Sequence, residues 1–74
     1  MKTDSIKASA YDLERLSIVI KEKANGMFDE CAPFNDSPVD NPDYLFLMAI
    51  SAAVAYQSEV ILSNLEFLNN TTNN

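Results

Sequence analysis

Between Tyr44 and Tyr56 the chain reads YLFLMAISAAVAY, twelve apolar residues in thirteen, with Ser51 the exception and no charge. A helix with one side in water places a polar residue at every third or fourth position, and this block omits them for more than three turns. Immediately before it stand Asn41, Pro42 and Asp43: an N-cap, a first-turn proline and an acid for the positive end of the helix dipole. The block is therefore expected to be a helix with more apolar surface than one side can hide. A chain of 74 residues has little else to cover it. Burial against a second copy, a different protein or lipid follows as the expectation.

An earlier helix is expected over about 4–25. Thr3, Asp4 and Ser5 offer capping oxygens, and Ile6, Leu13, Ile20 and Met27 recur every seven residues with Leu16 between them. Ala10, Ser17 and Ala24 form a second seven-residue row of small side chains beside the first, a pattern that lets an antiparallel neighbour approach closely. Asp4 with Lys7, and Asp12 with Arg15, have the i,i+3 spacing of surface ion pairs. Asn25-Gly26 reads as a left-handed C-cap. The second helix is expected from Pro42 to about Leu68, with Leu47, Val54, Ile61 and Leu68 at heptad spacing and Ile50, Ser58 and Leu65 in the same stripe. The tail, 69–74, reads as frayed.

Between them, residues 29–41 (DECAPFNDSPVDN) carry two prolines and four acids without strand alternation, which predicts a long acidic loop with Phe34 and Val39 tucked onto the helices. Thirteen residues exceed the usual helix–helix link of about 2–8. The expected fold is all-α: one domain over 1–74, an antiparallel two-helix hairpin with a long acidic connecting loop, completing a four-helix bundle by dimerisation.

Composition narrows the function classes. The chain has no histidine, so the commonest general base and metal ligand are missing. Cys31 is the sole cysteine, which rules out an intrachain disulfide and reads as a free thiol in a reducing compartment. The acids of 29–43 do not have EF-hand spacing, and Glu59 and Glu66 lack the Glu-x-x-His of di-metal bundles. No catalytic residue, cofactor or metal is expected, and the chain is read as a non-enzyme. Net charge is −6, all five basic residues lie in the first 23 positions, and seven acids with no Lys or Arg follow. Phosphate backbones are held by Lys and Arg clusters, so direct nucleic-acid binding is not expected. An acidic surface instead suits a basic protein surface.

A cytoplasmic location is expected, since the start shows no apolar signal-peptide region. Residues 44–62 are long enough to span a bilayer, yet Gln57-Ser58-Glu59 would lie in hydrocarbon and no Lys or Arg flanks the stretch. A single-pass membrane protein is therefore a second alternative, and a membrane is not the expected setting.

The leading expectation is a small acidic interaction protein that binds and modulates or inhibits a larger protein, of the kind that phage or mobile elements direct at nucleic-acid-handling complexes. Its partner or dimer interface would be Tyr44, Leu45, Phe46, Leu47, Met48, Ile50 and Val54, and its acidic contact surface Asp29, Glu30, Asp36, Asp40 and Asp43. Asn41-Pro42 opening the second helix, together with Tyr56, resembles type III secretion needle subunits and their small co-chaperones. That resemblance implies a structural or chaperone-like subunit of a secretion assembly as the first alternative.

Overall fold

A computed structural model describes the backbone of residues 2–72 and the side chains of residues 3–70. Two long helices, α1 (Lys2–Cys31) and α2 (Pro42–Thr72), are joined through a short 3-10 turn at Ala32–Phe34. Ser58 meets Ala10 and Tyr44 meets Phe28, so the helices run antiparallel as a hairpin. The shape is a rod of 60 × 17 × 14 Å. Its radius of gyration, 17.0 Å, compares with about 11 Å for a compact domain of this length.

The helices meet along small side chains. Ala10, Ser17 and Ala24 of α1 and Ser51 and Ser58 of α2 are the buried positions among the described residues of the two helices. Each set has heptad spacing, so both rows stay at the contact along the whole pair. Ser58 Oγ donates to the carbonyl oxygen of Ala10 at 2.7 Å, a buried bond from one helix to the backbone of the other. A serine side chain is short, so this bond requires the two backbones to lie closer than leucine-packed helices allow. Ser17 and Ser51 turn inward and donate to carbonyls of their own helices, Glu14 at 2.6 Å and Met48 at 2.9 Å. No buried side-chain polar atom among the described residues lacks a partner.

The boundaries differ from the sequence expectation in three places. First, α1 begins at Lys2, placing Thr3, Asp4 and Ser5 inside its first turn, and it continues through Asn25-Gly26 to Cys31. No glycine has positive φ; the left-handed residue is Asn35, at φ 55, which closes the 3-10 turn by donating from its N–H to the Ala32 carbonyl at 3.0 Å. Continuation past Gly26 brings Phe28 edge-on to Tyr44, ring centroids 5.4 Å apart at 88°. An edge-to-face pair is worth about 0.5–1.5 kcal/mol beyond its area, enough to offset the roughly 1 kcal/mol that a helical glycine costs.

A Cβ at position 26 would meet nothing within 4 Å. Gly26→Ala is therefore expected to stabilise the hairpin by about 0.5–1 kcal/mol, read as a higher urea midpoint with unchanged slope. An unchanged or lower midpoint would mean that α1 does not run through this position.

Second, the link between the helices is residues 32–41, partly structured, in place of a thirteen-residue acidic loop. Phe34 is 81% exposed and Val39 is also exposed; the residue that tucks in is Pro38. A proline there has no N–H to leave unsatisfied, and the Pro38 carbonyl accepts from Asn41 N–H at 2.8 Å. Third, α2 runs on through Asn69 to Thr72; the last two residues of the tail, 73–74, lie outside the described residues. The start of α2 matches expectation: Asn41 Oδ1 accepts from Asp43 N–H at 2.8 Å, with Pro42 at the first helical position.

Candidate interaction surface

Pairing through small residues leaves the large ones outside the seam. At 3.6 residues per turn, Leu13, Leu16, Ile20 and Met27 lie on one side of Ser17, and Leu47, Ile50, Val54 and Ile61 lie on the same angular side of Ser51. Antiparallel packing brings those two sides to one broad face of the hairpin. These side chains are half-buried or exposed, with Ile6 and Leu16 openly exposed. At the turn end the charged residues bordering this face are Lys23, Glu30 and Asp43. They join Met27, Phe46 and Leu47 around a groove of about 400 Å³.

The opposite face is mixed. On it α1 presents Lys7, Glu14 and Lys21 with Tyr11 and Ile18 between them, and α2 presents Leu45, Met48, Ala52 and Ala55, then Glu59 and Glu66. At the end remote from the turn, Lys7, Tyr11, Leu62, Glu66 and Asn69 line a shallow groove of about 310 Å³. Arg15 and Asp12 form the one ion pair among the described residues, on the outer side of α1.

The interface residues read from the sequence do not share one surface. Leu47, Ile50 and Val54 belong to the apolar face. Leu45 and Met48 belong to the mixed face, Phe46 stands at the outer edge with 63% of its surface open, and Tyr44 lies in the seam against Phe28. The α1 half of the apolar face was absent from that reading. Its Ile6–Leu13–Ile20–Met27 row looks like core in the sequence, and the small-residue row beside it took the core position. Of the facing row Ser51–Ser58, the sequence reading places Ser58 in the inward stripe of α2 and leaves out Ser51, whose signal is its seven-residue spacing from Ser58.

Asp29, Glu30, Asp36, Asp40 and Asp43 are all exposed. They come from the end of α1, the turn and the first turn of α2, so the hairpin gathers them at one end of the rod. Asp36 accepts from Ser37 N–H at 2.8 Å through Oδ1, and the Ser37 hydroxyl accepts from Val39 N–H at 3.3 Å. Among the described residues no three acids or cysteine converge as a metal would require. Cys31 is a free, half-buried thiol at the end of α1. The stretch Pro42–Asn70 of α2 is long and apolar enough to cross a membrane. No protein-family model, curated protein or solved structure matches the chain.

Proposed function

We propose that this protein works by contact: a non-enzymatic helical hairpin that binds a larger protein and modulates or inhibits it, with a second copy of itself completing a four-helix bundle. The observation that carries this reading is the hairpin's uncovered apolar face. A side chain such as Leu or Ile forfeits roughly 1.5–3 kcal/mol when left in water, and several such side chains on so small a rod favour an assembled state. The five carboxylates at the turn end are the proposed working surface, suited to a basic groove such as one that otherwise holds nucleic acid.

The test is a side-by-side pull-down with the wild type, Asp36→Lys/Asp40→Lys and Leu16→Glu/Ile50→Glu. Acid reversal is expected to remove the bound protein while the apolar pair of substitutions leaves it bound. Equal loss from both variants would contradict the division between an acidic working end and an apolar assembly surface.

One observation favours a second reading, a single-pass membrane protein: the length and apolar character of α2. Against it, Ser51 and Ser58 are occupied by the contact with α1, and crossing would strip that contact and carry Glu59 into hydrocarbon. Flotation with phosphatidylcholine vesicles separates the two, since the contact reading expects the protein to remain in the lipid-free fraction.

A further inference from the structure

We infer that the apolar face is the seat of a second copy of this chain, packed face to face and antiparallel, so that the two acidic turn ends lie at opposite ends of the bundle. The inference rests on the contact reading above and says which surface serves self-association.

Area identifies the occupant. The chain exposes 5771 Å², whereas a compact monomer of 8.2 kDa exposes about 4,500 Å². Each partner in an interface of standard size hides about 800 Å². Covering one broad face of this rod by another rod of the same length therefore removes most of the excess. A short peptide could cover only part of the face, because its apolar rows run from Ile6 to Met27 along α1.

Charge selects the orientation. A parallel pair would set ten carboxylates around one end of the bundle, whereas the antiparallel pair separates the two sets of five by far more than the screening length of about 8–10 Å. The antiparallel two-fold axis then passes near Leu16 and Val54, halfway along the apolar rows. Ile6 of one copy comes level with Met27 and Leu47 of the other, at the groove of about 400 Å³.

Leu16 and Ile18 make the matched test. They are 48% and 49% exposed in the hairpin and lie on opposite sides of Ser17, so Glu at either position disturbs the single hairpin about equally. Sedimentation equilibrium should find the wild type dimeric. Leu16→Glu should weaken the dimer about 1,000-fold, since the change occurs twice near the two-fold axis, and Ile18→Glu should leave the dimer as it is, with circular dichroism showing both variants helical. A spin label on the native Cys31 should give a distance between copies of about 45 Å.

A wild type that stays monomeric overturns the second copy, and dissociation by Ile18→Glu but not Leu16→Glu overturns the choice of face. A label distance below about 20 Å overturns the antiparallel arrangement. Partner capture by a monomeric Leu16→Glu variant would leave the contact reading standing by itself, so the two proposals can fail separately.

Discussion

Ala10→Leu is expected to open the hairpin, lowering its stability by about 2–4 kcal/mol. Ala10 is fully buried, and its carbonyl accepts the hydroxyl of Ser58 across the seam. Three extra heavy atoms cannot fit where the backbones are that close. The helices must separate at this level, which breaks the bond and loosens the heptad layers on either side. Overpacking costs about 1–3 kcal/mol and loss of a buried hydrogen bond about 1 kcal/mol more. A chain of this length is expected to hold only about 4–11 kcal/mol in total. Leucine is a strong helix former, so α1 itself is not weakened. Ala8→Leu, on the exposed side of the same helix, is the control and should be near neutral. Equal urea midpoints for the two variants would mean that the seam does not lie on the small-residue rows.

Tyr44→Ala is expected to cost about 2–3 kcal/mol. The ring is half-buried between the helices and takes the edge-to-face contact with Phe28. Its removal leaves a gap between the helices and strips Phe28 of its ring contact. Tyr44→Phe keeps the ring pair and should lose little. Because Phe28 belongs to the last turns of α1, Phe28→Ala should show strong coupling to Tyr44→Ala in a double-mutant cycle. Additive costs from the two substitutions would contradict a helix that continues past Gly26.

These two variants mark where the sequence was legible and where it was not. The hairpin, the cap at Asn41 and the small row Ala10–Ser17–Ala24 follow from local rules, because capping and heptad spacing act within a few residues. Ser51, which continues the stripe position of Ser58, was hidden because serine reads as polar in hydropathy patterns, although a serine bonded to a carbonyl can be buried at little cost. Large heptad residues beside it, Leu47, Val54 and Ile61, gave the stronger apolar signal and lie next to the seam, half-buried.

Asn25-Gly26 failed as a helix stop for a tertiary reason. The Phe28–Tyr44 contact joins residues sixteen apart in the chain, and no window around Gly26 contains it. The connection was misjudged because Pro33 and the acids read as open loop, while the chain places Pro33 at the start of a 3-10 turn and sets Asn35 in the left-handed conformation. The division into an apolar and a mixed face needs both helices and their relative direction, so a single stretch such as 44–56 could show excess apolar surface but not its orientation.

We propose that the apolar surface left open by the small-residue seam is covered by a second copy of this chain. Solution mass, followed by sedimentation equilibrium across a wide concentration range in detergent-free buffer, tests it most directly. A closed dimer of twice the chain mass that gives way to monomer only on dilution is expected. A monodisperse, fully helical monomer at every concentration, with no tendency to associate, would contradict it.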